Sequence, residues 1–457
     1  MAIQQKGMHG TWDRRWTFIM AATGSAVGLG NIWKFPYVAG SNGGGAFVLV
    51  YLVCILLIGV PVMMAEVLIG RRGRQSPINS VRDVVLESGA DSRWRHVGWV
   101  GVSAGMLILS FYAVIAGWAL SYIFAMASGE LAGVNGDSAA AVFAGLLADP
   151  VRLIFWQSLF MLLCVLVVVG GVKKGLGVAV EILMPLLFFM LLLLLGLSYF
   201  QGNFAAAWHF LFSFNIELLT WRGVLEAMGQ AFFTLSIGMG AIMAYGAYMP
   251  QKVNIGKTIL IVAFFDSLVA IVSGLIIFSI VFGTQGIEPS AGPGLMFISL
   301  PVAFANMSGG LLIGCAFFVL VSIAAWSSAI SLLEPCVAWL IEAKDVGRTN
   351  ANLLLAGFAW LLGIGSVLSF NVWSDIQLAG FTFFDFLDFL TTNIMLPLSG
   401  LLIALFVGYA VKPEFINLEM DDISPIMLKV WRVSLRYIAP VAISAVFVMG
   451  IYDKFFS

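Results

Sequence analysis

The sequence predicts an all-α, polytopic membrane protein with about eleven transmembrane helices. Hydrophobic residues make up 61% of its 457 positions, only 10% are charged, and the mean hydropathy is +1.01. Soluble domains carry roughly 25% charged residues, so a soluble core does not account for this composition. Apolar runs of about 20 residues, the length that crosses a layer of roughly 30 Å as a helix, recur throughout. Backbone groups in lipid must be satisfied internally, which favours helices over alternating barrel strands of about 10 residues.

Eleven apolar runs define spans 1 to 11, with predicted bounds 16–39, 45–69, 98–126, 153–170, 176–198, 224–248, 257–283, 310–341, 352–370, 384–410 and 434–452. The basic residues orient these spans. With a cytoplasmic N-terminus, 19 of the 23 lie on the inner side, Arg152, Arg222 and Lys454 lie outside, and Lys34 falls within span 1. This positive-inside asymmetry predicts a multi-pass protein of the cell inner (plasma) membrane, surrounded by the lipid bilayer.

Several function classes are disfavoured by the composition. The net charge of −1 carries no information about partners, and nothing supports nucleic-acid binding. The four cysteines lie in apolar spans, where each is expected to act as a small hydrophobic residue. None of the three histidines is at mid-span, which argues against a haem or di-metal centre. No nucleophile with a neighbouring base appears, so the sequence predicts no enzyme, and sparse charges within the spans argue against a channel.

Glycines interrupt two spans at corresponding places: Gly24, Gly28 and Gly30 in span 1, and Gly238 and Gly240 in span 6. An offset of five spans inverts the topology, and such a pair indicates an inverted-repeat transporter with its site at the midplane. We therefore expect one membrane transport domain over 1–457, with repeats at approximately 12–200 and 222–411 and an added helix at 430–452. The alternative is that these glycines only allow close helix packing.

Ionisable residues within spans are costly in lipid and are therefore functional candidates. They are Lys34, Glu66, Asp266, Glu334, Asp385 and Asp388. The interrupted stretch 24–31 offers backbone carbonyls and the Asn31 amide oxygen, which suit a small hard cation such as sodium. Its free N–H groups can hold a carboxylate. A zwitterion beside a cation is the ligand that this chemistry favours.

Seven stretches in order carry a resemblance that runs from end to end: GSAVGLGNIWKFPY (24–37), NGGGAF (42–47), GVPVMMAEVLIGR (59–71), GQAFFTLSIGMGAI (229–242), GPGLMF (292–297), AAWSSAISLLEP (324–335) and FFDFLDF (383–389). The chain resembles the neurotransmitter:sodium symporter family, in its bacterial amino-acid transporter type with the LeuT fold and eleven helices, where many relatives have twelve. The resemblance implies sodium-coupled import of amino acids by alternating access. A proton-coupled or sodium-independent transporter of the same fold is the alternative.

The resemblance implies two sodium sites. The residues of the first are Ala26, Asn31, Thr234 and Asp266, with the substrate carboxylate as a further ligand. The second consists of the carbonyls of Gly24, Val27 and Ala324 and the hydroxyls of Ser327 and Ser328. For the two serines, a hydrogen bond to the helix carbonyl one turn earlier is the alternative interpretation.

Asp266 stands where the family more often has asparagine together with a balancing chloride, and Ala270 offers no hydroxyl for that anion. A fixed carboxylate can replace chloride, so we expect transport without a chloride requirement. The alternative is that Asp266 is a protonated, structural hydrogen-bond donor.

The resemblance also assigns the substrate site, whose residues are Ala26, Leu29, Gly30, Ile108, Tyr112, Phe233, Thr234, Ser236, Met239, Ser328 and Leu332. The N–H groups of Leu29 and Gly30 and the hydroxyl of Tyr112 would bind the substrate carboxylate. The side-chain pocket is formed by Ile108, Phe233, Met239 and Leu332. Because these four are apolar, hydrophobic or aromatic amino acids are expected.

The implied gates are Lys34 with Asp388 and the Phe233 lid on the outer side, and Trp12 on the inner side. Lysine lacks the bidentate fork of the arginine usual in the family, so a looser outer pair is expected. His9 occupies the position of an arginine that pairs with an acid, here Glu342, which leaves the inner ion pair open. Glu66 and Glu334 are expected to satisfy backbone groups at the broken helices. The exact substrate, the sodium stoichiometry and the oligomeric state are not predicted.

Overall fold

A computed structural model describes residues 10–284, 292–421 and 423–455, with side chains to residue 452. The described chain is helical apart from turns and two isolated bridges. Within it, nine helices are long and apolar enough to cross a membrane: Gly45–Gly73, Ser92–Ala127, Pro150–Val169, Val172–Gln201, Ile255–Gly283, Gly310–Lys344, Arg348–Leu368, Phe383–Ala410 and Pro425–Tyr452. These are spans 2 to 5 and 7 to 11.

Spans 1 and 6 are each divided into two shorter helices. Span 1 consists of Arg15–Ala26 and a second half that starts with a π-helical turn at Gly30–Lys34 and continues as Phe35–Ser41. Span 6 consists of Trp221–Thr234 and Ala241–Tyr248. With these two, the described residues form the predicted eleven spans, and the all-α prediction is confirmed. The limits of the two repeats stay a prediction.

The break in span 6 follows from its backbone conformation. Ser236, Gly238 and Gly240 have φ values of +53°, +82° and +76°, which no right-handed helix contains. Glycine adopts this region without penalty, whereas Ser236 is strained there. The buried Glu66 carboxylate of span 2 accepts a hydrogen bond of 2.6 Å from the Gly238 N–H, as predicted.

The segments between spans 3 and 4, between spans 5 and 6 and between spans 7 and 8 contain three shorter helices, Gly136–Ala148, Phe204–Phe212 and Leu295–Ala305. Two predicted bounds were wrong in detail. Span 11 begins at Pro425 rather than at 434, because the amphipathic stretch before the apolar run continues the same helix. Gly24 was expected at the break in span 1 but lies inside the first helix, and the non-helical backbone starts at Val27.

Span 2 is in direct backbone contact with Ala241–Tyr248, the second half of span 6. We call this the inner half, because Trp12 near the N-terminus bonds to it. A Cβ at Gly70 would lie 1.9 Å from the Met243 carbonyl oxygen, so only glycine fits. Arg74 donates to the carbonyls of Ala247 and Met249, at 3.1 and 2.5 Å, and caps the same contact. Spans 3 and 8 pack along each other and face the two breaks. The breaks therefore lie at the centre of the bundle.

Candidate binding site

The two breaks and spans 3 and 8 enclose one small cavity. Its lining includes all eleven residues predicted to bind substrate, together with Ser25, Gly28 and Asn31. The free volume is about 30 Å³, which is room for one or two water molecules. An amino acid therefore requires the cavity to expand. Phe233 is the side chain best placed to move, because it lines both this cavity and the larger cavity on its outer side.

One end of the cavity is polar because the break in span 1 frees backbone groups. The Leu29 N–H donates to the Tyr112 hydroxyl at 3.3 Å. A Cβ at Gly28 would lie 2.8 Å from the Ser328 hydroxyl oxygen and 3.0 Å from that of Tyr112, so span 3 and span 8 reach the peptide chain closely there. The other end is formed by apolar side chains, among them Ile108, Met239 and Leu332.

Asp266 lies beside this cavity, fully buried in span 7. Its carboxylate oxygens accept a hydrogen bond of 2.7 Å from the Asn31 amide nitrogen and one of 3.3 Å from the Tyr51 hydroxyl. The Tyr51 hydroxyl is also 3.2 Å from that of Thr234. The structure thus joins Asn31, Thr234 and Asp266 in one network, with Ala26 on the adjoining cavity wall.

A second set of oxygens converges on Ser328. Its hydroxyl oxygen is 3.3 Å from the Gly24 carbonyl oxygen, 3.2 Å from that of Ser25 and 3.1 Å from that of Val27. One hydroxyl proton satisfies only one of these acceptors, so the oxygen set suits a hard cation. Ser327 donates to the Ala324 carbonyl at 3.0 Å, which is the local bond that the sequence left as an alternative.

The predicted outer gate residues do not form an ion pair within the described residues. The Lys34 ammonium lies 5.3 Å from the centre of the Phe233 ring, in a cation–π arrangement. Asp388 is exposed and accepts a hydrogen bond of 3.1 Å from Thr392. Above Phe233, a cavity of about 510 Å³ opens between spans 1, 6, 10 and 11, with Lys34 in its wall. The gating role of these residues stays a prediction.

The inner end is closed by Trp12, which is 3% exposed. Its backbone N–H donates to the Tyr248 carbonyl at 2.9 Å, and its indole N–H donates to the Val172 carbonyl at 3.0 Å. The ring packs edge-on against Tyr245 and Tyr248. Trp12 thus ties the N-terminal segment to the inner half of span 6 and to the start of span 5.

One of the two acids at the inner end differs from expectation. Glu334 was predicted to satisfy backbone groups, but its partners are side chains. It forms an ion pair with Arg348 and accepts a hydrogen bond of 2.7 Å from the Tyr248 hydroxyl. Glu342 accepts from Asn79 at 2.6 Å and from Ser76. His9, the other member of the inner pair left open by the sequence, lies outside the described residues.

Four residues near the site were not identified from the sequence. Tyr51 bonds to Asp266, and Gln230 donates to the Gly30 carbonyl at 3.0 Å. Ser25 and Ser331 bond to each other at 2.8 Å. A buried polar residue in an apolar span is a signal that could have pointed to Tyr51 and Gln230. Buried serines are too common in membrane helices to single out the other two.

The fold and the site define a polytopic membrane transporter with two broken helices around a central cavity. The model of the Sodium:neurotransmitter symporter family matches residues 9–139 and 145–455. An uncharacterized sodium-dependent transporter, YhdH, of Bacillus subtilis is 38% identical over 95% of this chain and 96% of its own length. A Haemophilus influenzae sodium-dependent transporter, also uncharacterized, is 31% identical over 97% of this chain and 98% of its own length.

Among solved structures, the crystal structure of MhsT in complex with L-phenylalanine is similar, with a TM-score of 0.88 and 43% identity over 96% of this chain and 99% of that one. This similarity agrees with the fold class derived from the apolar runs. The chain belongs to the sodium:neurotransmitter symporter family.

Proposed function

We propose that the protein is a symporter that imports hydrophobic or aromatic amino acids together with sodium, without a chloride requirement. The observation that carries the proposal is the pair of oxygen sets at the breaks, one around Asp266 and one around Ser328, on the walls of a single cavity. Such sets of carbonyl, hydroxyl, amide and carboxylate oxygens match the ligands that hard cations prefer.

The first proposed sodium site uses Ala26, Asn31, Thr234 and Asp266, and the substrate carboxylate completes it. A sodium ion there would contact both the protein and the substrate, so each raises the affinity of the other. Asp266 supplies a fixed negative charge in a fully buried position, which compensates the cation without an added anion. This is the physical reason to expect independence from chloride.

The substrate class follows from the two ends of the cavity. The N–H groups after the break in span 1, among them that of Leu29, which donates to the Tyr112 hydroxyl, suit a carboxylate, and the carbonyls at the two breaks suit an ammonium group. Apolar Ile108, Met239 and Leu332 would surround the side chain. The similarity to MhsT, whose structure contains L-phenylalanine, supports an aromatic substrate.

For transport, the proposal is alternating access with the N-terminus in the cytoplasm and the protein in the plasma membrane, as the basic residues predict. The wide cavity above Phe233 leads towards the outer side, and Trp12 closes the inner side. Movement of Phe233 admits the amino acid, and release of Trp12 opens the opposite exit. Spans 2 and 6 are expected to move together, because their backbones touch at Gly70.

A proton-coupled transporter is the second candidate, because Asp266 is a fully buried carboxyl whose described partners, Asn31 and Tyr51, carry no positive charge, so a proton could neutralise it in place of a sodium ion. Proteoliposome uptake of radiolabelled L-phenylalanine separates the two. We expect uptake in sodium, none in choline, and no change when gluconate replaces chloride. Uptake in choline that is driven by an inward proton gradient would establish the alternative.

Asp266→Asn is the matching variant, and Asp385→Asn is its control, since Asp385 is an exposed carboxylate that bonds to Thr382 away from the cavity. The Asp266 variant should bind L-phenylalanine more weakly or respond to chloride, whereas the control should match the wild type. An Asp266 variant identical to wild type in every salt would show that the assignment is wrong.

A further inference from the structure

Serine hydroxyls join the breaks of spans 1 and 6 to span 8. The Ser236 hydroxyl donates to the Ser25 carbonyl at 2.7 Å. The Ser25 hydroxyl donates to the Ser331 hydroxyl at 2.8 Å, and Ser331 donates to the Ser328 carbonyl at 2.7 Å. All four serines are at most 7% exposed. This chain of hydrogen bonds therefore runs through the bundle without access to bulk water.

The Ser25 carbonyl is shared between two functional groups. The Ser236 hydroxyl, part of the predicted substrate site, lies 2.7 Å away, and the Ser328 hydroxyl, a predicted ligand of the second sodium site, lies 3.2 Å away. Ser331 neither lines the cavity nor contacts the converging carbonyls, but it accepts from the Ser25 hydroxyl and donates to the Ser328 carbonyl of its own helix, so it holds span 1 against span 8 beside the Ser25 carbonyl.

We infer that Ser25 and Ser331 are positioning residues that couple the second proposed sodium site to the break in span 6; this inference rests on the proposed function. A sodium ion on the Ser328 oxygen needs its lone pairs, so the hydroxyl proton turns away from the carbonyls of span 1. The Ser25 carbonyl then accepts from Ser236 alone. Ser236 has a strained φ of +53°, and this stronger bond stabilises it in the conformation that the cavity requires. By reciprocity, substrate at Ser236 raises the sodium affinity.

The test measures binding of radiolabelled L-phenylalanine to the purified full-length protein as a function of sodium concentration. Ser331→Ala and Ser25→Ala both keep the Ser25 carbonyl but remove the hydroxyl bond that holds it in position against span 8, and Ser331→Thr keeps that hydroxyl. Ser322→Ala is the matched control, because Ser322 is a buried serine of the same span whose hydroxyl has no partner within the described residues. Gel filtration establishes that each variant is folded.

We expect the sodium concentration at half-maximal binding to rise about fivefold in both alanine variants, which corresponds to the loss of one hydrogen bond of roughly 1 kcal/mol. At saturating sodium, the L-phenylalanine Kd should return to within about twofold of wild type, because neither side chain is assigned to the substrate. The double variant should add little to either single one, because both interrupt the same chain. Ser331→Thr should keep most of the sodium affinity.

Two results would overturn the inference alone: a Ser331→Ala titration that coincides with that of Ser322→Ala, or a loss of L-phenylalanine affinity that persists at saturating sodium. Wild-type binding that does not depend on sodium would instead refute the proposed function, before any variant is compared.

Discussion

The buried ion pair between Glu334 and Arg348 allows a quantitative test of the inner end. Glu334 is fully buried, and its partners are Arg348 and the Tyr248 hydroxyl at 2.7 Å. Arg348 is 19% exposed and also donates to the Val168 carbonyl at 2.8 Å. Removing one partner of a buried pair costs about 3–5 kcal/mol, mainly because the other charge is left uncompensated.

The two single variants should therefore differ. Arg348→Gln leaves a buried carboxylate with one neutral donor, so we expect a loss of about 3 kcal/mol in the free energy of unfolding. Glu334→Gln leaves a cation that keeps the Val168 carbonyl and some contact with water, so about 1–2 kcal/mol is expected. The loss in the double variant should be smaller than the sum of the two single losses, by at least about 1 kcal/mol.

Unfolding in mixed micelles with a rising fraction of SDS measures these differences, and the 14 tryptophans supply a fluorescence signal. Arg93→Gln is the matched control, because the Arg93–Asp91 pair has side chains 88% and 47% exposed. Exposed pairs of that kind contribute little to stability, because water screens both charges. Losses that simply add in the double variant would refute the reasoning, since they would mean that the two charges do not depend on each other.

Three further outcomes are expected. Tyr51→Phe removes a donor to Asp266 and should raise the half-saturating sodium concentration for L-phenylalanine binding about fivefold; an unchanged titration would contradict the role of this hydroxyl. Gly70→Ala places a Cβ 1.9 Å from a carbonyl oxygen of span 6, so folded protein should be absent or much reduced on gel filtration, whereas Gly196→Ala, with open space around it, should fold normally. Lys34→Gln removes the cation over Phe233 and should speed dissociation of L-phenylalanine a few fold, by a cation–π contribution of about 0.5–1 kcal/mol; equal dissociation rates would exclude that contact as part of the lid.

The sequence alone was sufficient for the span count and for the two broken helices, because hydrophobicity and glycine act locally. An apolar run of about 20 residues is helical in lipid wherever it occurs, and Gly238 and Gly240 mark the break in span 6 without reference to distant residues. The start of the break in span 1 was predicted too early, since Gly24 stays helical and Val27 does not. Glycine permits a break but does not require one.

Contacts between distant residues could not be derived in this way. Tyr51 and Asp266 are 215 positions apart, and only the packing of span 2 against span 7 brings them together. Arg348 was counted as a basic residue of the inner side, yet it turns towards Glu334 in span 8. The substrate and sodium residues came from the resemblance to a family, and the cavity then brings the predicted substrate set together. Local patterns would not have selected that set.

The broken helices leave backbone groups without partners in their own helix, and neighbouring spans supply those partners. The choice of these spans connects the fold to transport. A backbone group without a partner costs several kcal/mol in an apolar interior. Glu66 binds the Gly238 N–H, Gln230 binds the Gly30 carbonyl, and Ser236 binds the Ser25 carbonyl. Glu66 comes from span 2, which packs against span 6 and can move with it, whereas Gln230 and Ser236 link spans 1 and 6 to each other. All three bonds can therefore persist if spans 1, 2 and 6 move as one body. The carbonyls near Ser328 are different, because span 8 packs along span 3 outside that body. A ligand between Ser328 and span 1 would hold span 8 to spans 1, 2 and 6, and in the proposed transport cycle its departure would release them.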